Sequence, residues 1–200
     1  MDQLGLTKPT LKKGTENLTT NGQKLNQTLL DFWRWSNSDL LSNATRGKLA
    51  EFIVASALGI GLNEPRDEWD AFDILTQEGI KIEVQSSAYI QSWEQSKKSS
   101  ISFSIRPAVK WDSESKNREV LAKRHADFYV FCLLKHENQE TINPLEMDQW
   151  EFYVVPTPDL NERFKDQKTV SLGPLKAIAK AVAYGQIKDQ FVRRKGLKEI

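Results

Sequence analysis

Cysteine, histidine, long apolar runs and charge of one sign are what this 200-residue chain has least of. Its one cysteine, Cys132, has no partner for an internal disulfide. It lies in "DFYVFCLLK", which reads as a core strand, so the thiol is expected to be buried and inert. One Cys and two His leave no ligand set for zinc. No stretch approaches the roughly 20 apolar residues that a membrane-spanning helix needs. The opening "MDQLGLTKPTLKKGTENLTT" has no apolar signal core. The expectation is a cytoplasmic protein with no membrane contact.

Charge is nearly balanced, with 28 Lys and Arg against 27 Asp and Glu, so the whole-chain balance does not announce a nucleic-acid partner. Local basic clusters stand at Lys97–Lys98, in "AKRH" at 122–125 and in "FVRRKGLK" at 191–198. Each is an ordinary solvated surface unless it lies beside a site that needs a phosphate-facing cation.

What is present fits a folded domain, with 39% hydrophobic and 28% charged residues. Residues 1–24 read as a polar N-terminal arm and 25–200 as a single domain. "LNQTLLDFWRWSNSDLLSN" has helical spacing, with a break suggested at Asn37–Ser38. "SNATRGKLAEFIVASALGI" has a capping start, an apolar stripe at Leu49, Phe52, Ile53, Ser56 and Ala57, and a stop at Gly59. A hairpin follows, then "SSISFSIRPAV" as the third strand of a meander. "KNREVLAKRH" reads as a short helix or turn, and "ADFYVFCLLK" and "WEFYVVP" as two more strands. "TVSLGPLKAIAKAVAYGQIKDQF" reads as a short strand and a helix from near Gly173–Pro174. The fold class is α/β, with a mixed central sheet flanked by helices.

The chemistry concentrates in "WDAFDILTQEGIKIEVQSSAYIQSW", Trp69 to Trp93. A three-residue loop, Gln77–Glu78–Gly79, pairs Thr76 with Ile80 and sets Asp73 opposite Glu83. Side chains alternate along a strand. One face then carries Phe72, Ile74, Ile80, Ile82 and Val84; the other carries Asp73, Lys81, Glu83, Gln85 and Leu75. Facing carboxylates repel unless a cation joins them, and two carboxylates suit Mg²⁺ or Mn²⁺. Asp70 has the opposite parity, and a bulge would make it the ligand instead. A solvent-exposed hairpin face with ordinary charges would produce the same pattern.

These residues resemble the core motif of the PD-(D/E)XK nuclease superfamily, the restriction endonuclease-like fold. Asp73 matches the motif Asp and Glu83 its acidic residue, while Gln85 stands at the Lys position. "RGKLAEFIVASAL" resembles the helix before the motif, which makes Glu51 the further metal-site carboxylate. The likeness covers roughly residues 45–135 and, more loosely, the C-terminus. It implies a Mg²⁺- or Mn²⁺-dependent DNA endonuclease with a restriction or phage-defence role, and it leaves a homodimer open. Asp73, Glu83 and Glu51 would hold the metal.

Gln85 is neutral, but it can orient a water by hydrogen bonds. Lys81, or Lys48 one helical turn before Glu51, would replace the missing charge. Ser86, Ser87, Tyr89, Gln91 and Trp93 are expected to contact DNA, and Trp93, Trp111 and Arg106 to stack on or pair with a base. His125 reads as a structural histidine more readily than as a base. A nuclease fold without cleavage, acting as a nucleic-acid-binding or scaffold subunit, stays open, as does an unrelated α/β domain.

Overall fold

A computed structural model describes residue 7 and residues 9–60, 62–66, 71–109 and 122–195. Most of "KNREVLAKRH", together with Asp70 and Trp111, lies outside the described residues. So does the end of the 191–198 cluster.

The chain begins with a hairpin of β1 (Asn17–Thr20) and β2 (Gln23–Thr28), followed by α1 (Leu29–Asn37). Helical spacing from Leu25 had suggested an earlier start. Thr28 sets the boundary: its hydroxyl accepts the Asp31 N–H at 3.3 Å, and its own N–H donates to Asp31 Oδ2 at 2.8 Å. That capping box satisfies donors a helix start leaves open, so Leu25 to Thr28 remain extended. Helix α2 (Asn43–Leu58) is capped by Ser42 and stopped by Gly59 at φ +69°.

The core sheet has the order β3-β4-β6-β7. Strand β3 (Ile74–Leu75) runs antiparallel to β4 (Lys81–Ala88), and β4 runs parallel to β6 (Phe128–Leu134). Strand β6 runs antiparallel to β7 (Trp150–Pro156). The sheet is therefore mixed, as the α/β reading required. Both edges of β4 are occupied, which explains why the third meander strand does not join it. That segment, β5 (Ser102–Ser104), pairs instead with β8 (Thr169–Ser171) in a separate ribbon. The expected last helix is broken into α4 (Leu172–Ile178) and α5 (Ile187–Lys195), with extended residues and a 3₁₀ turn between them.

Every residue of β6 is buried, so both faces of the sheet are covered. Phe128, Val130, Cys132 and Leu134 point into one core with Ala50, Ile53, Val54 and Leu58 of α2 and Ile187 and Phe191 of α5. Tyr129, Phe131 and Leu133 point into a second, with Phe103, Val170 and Leu175. Leu160 and Phe164 of α3 (Thr157–Phe164) join that second core. Cys132 is fully buried, and burial raises its thiol pKa, in keeping with a structural role.

Two readings of apolar faces need correction. Helix α2 buries Arg46, Ala50, Ile53, Val54 and Leu58, while Phe52 is 54% exposed. The inward face is turned from the expected one because Val54 and Leu58, not Phe52, meet β4. Phe72 packs with the second core, not with Ile74 and Ile82, because regular pairing ends at Ile74 and strand parity is lost beyond it.

Candidate active site

The hairpin turn fixes the site. Thr76 donates its N–H to Ile80 O at 2.9 Å, and Gly79 donates to Thr76 O at 3.0 Å. Gly79 has φ +76°, a conformation that favours glycine. This is the three-residue connection, and Ile74 pairs with Ile82 and Leu75 with Lys81. Regular pairing ends at Ile74, and Asp73 and Glu83 line one cavity just beyond it. Strand β3 stops there because the Asp73 carboxylate replaces the next backbone rung: Oδ2 accepts the Val84 N–H at 2.7 Å. Asp73 also donates its N–H to Ile82 O at 3.0 Å.

Glu83 lies on the face of β4 that continues into the second core, and its parallel-sheet partner is Tyr129. That core does not cover this end of the sheet. A polar cavity of about 230 Å³ lies here, lined by Phe72, Asp73, Glu83 and Tyr129 on the sheet side. Arg106, Lys123, Arg124 and His125 line the same cavity.

The electrostatics follow from burial. Desolvation raises Asp73 to about 6, against the pull of the Val84 N–H, and the charge of Glu51 adds to the rise. Desolvation and then the charge of Asp73 push Glu83 up to about 8. Burial, reinforced by Glu83, also raises the Tyr129 phenol, so this hydroxyl remains a hydrogen-bond donor. Burial and mutual repulsion thus leave both carboxylates with raised proton affinity.

Arg66 lies against the acidic residues. Its guanidinium binds Glu51 through Nε and, at 3.1 Å, through Nη2. The same Nη2 lies 3.7 Å from Asp73 Oδ1. Glu51, from α2, thus reaches Asp73 through an arginine. Among the described residues, no three acidic, His or Cys side chains form a ready metal cluster. Gln85 donates from Nε2 to Glu83 Oε1 at 3.0 Å.

The remaining expected site residues scatter. Lys81 holds its ammonium 5.6 Å from the centre of the Phe72 ring, and Lys48 is exposed on α2; neither lines the cavity. Ser86 takes the parity of Val84 and Ala88, opposite to Glu83. Ser87 is buried, Tyr89 packs on the second core, and Trp93 is exposed beyond the end of β4. Gln91 is buried and bound inside the protein. It accepts from Arg46 Nη1 at 2.9 Å and donates to Ala88 O at 2.9 Å. Arg46 also binds Leu41 O and Asn43 Oδ1, so this pair ties the start of α2 to the end of β4. Gln91 is thus held inside the protein, where a buried amide's hydrogen bonds are met.

Sequence reasoning passed over Tyr129 and Arg66. Tyr129 sits in an apolar run, and its meeting with Glu83 depends on a parallel pairing that no local pattern encodes. Arg66 carried a usable signal: buried carboxylates need a counter-charge, and "EPRDEWD" places an arginine shortly before the hairpin.

Two carboxylates and three Lys or Arg side chains lining one cavity of a mixed α/β sheet make a site suited to a phosphate-bearing ligand. A family model described as bacteriophage T4 endonuclease IV matches residues 11–173, which include every residue that lines the cavity. The chain belongs to that family and is a nuclease of the endonuclease class. A search of curated proteins found no match.

Proposed function

We propose that this endonuclease hydrolyses phosphodiester bonds of DNA with Mg²⁺ or Mn²⁺, in the manner of the PD-(D/E)XK nucleases. The observation that carries the reading is the meeting of Asp73 and Glu83 in one cavity, each with a raised proton affinity. A buried acidic pair of this kind is relieved by a divalent cation. Arg66 supports the fit, because it puts a positive group against Glu51 and Asp73. Asp73 and Glu83 would hold the metal, with Glu51 completing the site once Arg66 turns away. Bound there, the ion would polarise a phosphate oxygen and lower the pKa of an attacking water.

The chain's own groups would do the rest. Gln85 uses its amide N–H to fix the Glu83 carboxylate and retains an acceptor oxygen for a water. The protonated Tyr129 hydroxyl would donate to a phosphate oxygen entering the cavity. Cleavage of plasmid DNA with Mg²⁺, Mn²⁺ and chelator tests the reading. Activity is expected with metal and should disappear in Asp73→Ala and Glu83→Ala. A folded wild-type protein that cuts no nucleic acid with any divalent ion would refute it.

One observation favours a second reading, a weak or inactive nuclease fold that binds nucleic acid. Gln85 brings no charge to the motif's Lys position. Under that reading DNA binding is indifferent to chelator.

A further inference from the structure

The cavity accounts for the acidic pair but not for an aromatic cluster near the start of the chain. In "DFWRWSN" three aromatic side chains and an arginine follow one another along α1, outside both cores. We propose that the β1–β2 hairpin and α1 form a DNA-docking surface, in which Phe32 and Trp35 stack on exposed bases and Lys12, Lys13, Lys24 and Arg34 hold phosphates. The inference rests on DNA being the partner, as in the nuclease reading above.

Three observations carry it. First, the unit holds its own shape. The Leu29 N–H donates to Glu16 O at 2.8 Å and the Leu30 N–H to Gly14 O at 2.9 Å, so the chain before β1 closes the start of α1. Asn21 and Gly22, at φ +48° and +77°, make the tight hairpin turn. Second, the aromatic residues divide by role. Trp33 is used in packing: its ring lies over Gly14, where a Cβ would come within 2.9 Å of it. Phe32 and Trp35, three residues apart, share another face of the helix and are 51% and 84% exposed. Two bare rings held on one face of a helix offer a stacking platform, because every base presents a π face. Third, the acids of the unit are occupied while its cations stand in solvent. Glu16 accepts the N–H groups of Lys13 and Gly14 at 3.0 and 2.8 Å. Asp31 accepts the Thr28 N–H and hydroxyl, each at 2.8 Å. Residues 11 to 38 hold these two carboxylates against four cations, and Lys12, Lys13, Lys24 and Arg34 are all exposed.

That charge selects among occupants. A second copy seated on this face about a two-fold axis would set like charges together, whereas a polyanion with stackable bases satisfies rings and cations at once. The family match begins at residue 11, so the unit lies within the sequence shared with the phage endonuclease family. None of its residues lines the cavity, so its contribution falls on substrate capture and not on the chemical step.

The test uses the full chain with Trp35→Ala, Phe32→Ala, Trp35→Tyr and Trp35→Leu, and with Lys12→Gln, Lys13→Gln, Lys24→Gln and Arg34→Gln combined. Leu145→Ala, at an exposed apolar residue outside the unit, is the control. Binding of short fluorescein-labelled DNA, single- and double-stranded, is measured in chelator across a salt series, and cleavage with Mn²⁺ is resolved into KM and kcat. Trp35→Ala is expected to lose at least ~5-fold in affinity for the single strand, and less for the duplex, whose base faces are stacked. Trp35→Tyr should keep most of the affinity and Trp35→Leu little more than Trp35→Ala, since leucine is apolar but has no ring. The combined charge variant should lower the salt slope by at least ~1.4, the share of two phosphate contacts on a single strand. In cleavage, KM should rise while kcat holds. Melting curves confirm folding, and if Trp35→Ala does not fold, Phe32→Ala and Trp35→Leu carry the test. Unchanged binding in both alanine variants would overturn the inference and leave the nuclease reading intact. So would wild-type affinity in Trp35→Leu, a loss confined to Trp93→Ala, or a dimer in sedimentation that Trp35→Ala dissolves without changing DNA binding. A wild-type protein that binds DNA through Trp35 but cuts no nucleic acid with any divalent ion would sustain the docking surface and refute the nuclease reading.

Discussion

Glu83 concentrates the cost of the site in one side chain. Its folded pKa lies near 8, against an ordinary value of 4.5, because burial and the charge of Asp73 disfavour ionisation. Below the ordinary value, folded and unfolded chains both hold the proton. Between 4.5 and about 8 the folded chain holds a proton that the unfolded chain releases, so this group's contribution to stability falls as pH rises through the window. Asp73 adds the same trend between 3.8 and about 6. In chelator, the melting temperature should therefore fall from pH 5 to pH 8. Glu83→Gln should flatten that fall and stabilise the protein at pH 8 by about 1–3 kcal/mol. Mn²⁺ added at pH 7 should release protons, read by calorimetry in two buffers of different ionisation enthalpy. Gln85→Lys bears on the other side of the pair. A lysine bonding the Glu83 carboxylate would favour its ionised form, so the acid limb of the pH–rate profile should move to lower pH. An unshifted profile would mean that Gln85 does not act through Glu83.

At the scale of elements, the hairpin was legible because every rule governing it is local. Gly79 and the loop length together pair Ile74 with Ile82 and Leu75 with Lys81, which brings Asp73 near Glu83. Gly79→Ala should cost about 1 kcal/mol, while Gly79→Asn should be milder, as asparagine tolerates positive φ better. Denaturant unfolding of both variants checks this. The Arg46–Gln91 tie joins α2 to the chain after β4, and sequence pattern concealed it. Gln91→Ala leaves a buried guanidinium one acceptor short and should cost about 1–3 kcal/mol. DNA affinity should be unchanged, which separates this residue from the contact role its composition suggested. The third meander strand failed for a non-local reason: β6 had taken the edge of β4 that β5 would need.

For the whole molecule, the two cores draw no described residue from before Leu41. The β1–β2 hairpin and α1 stand outside them, and α1 buries none of its residues, although Phe32 and Trp35 are 51% and 84% exposed. Removal of residues 1–38 is expected to leave one cooperative transition with a stability loss below about 2 kcal/mol. Loss of the transition in scanning calorimetry would show that this segment belongs to the folding unit. No helix among the described residues is long and apolar enough to cross a membrane.

The sequence by itself determined α2, the strands β4, β6 and β7 and the hairpin turn, because capping, turn chemistry and alternation act over a few residues. It also marked Cys132 as buried and the sheet as mixed. Tertiary structure alone decided what stands around the hairpin. Tyr129 reaches Glu83 through a parallel pairing, Arg66 reaches Glu51 and Asp73 across a loop, and Arg106 and Lys123, far along the chain, line the same cavity. Each is a contact between distant segments, set by which edges, faces and counter-charges remained once the cores had packed.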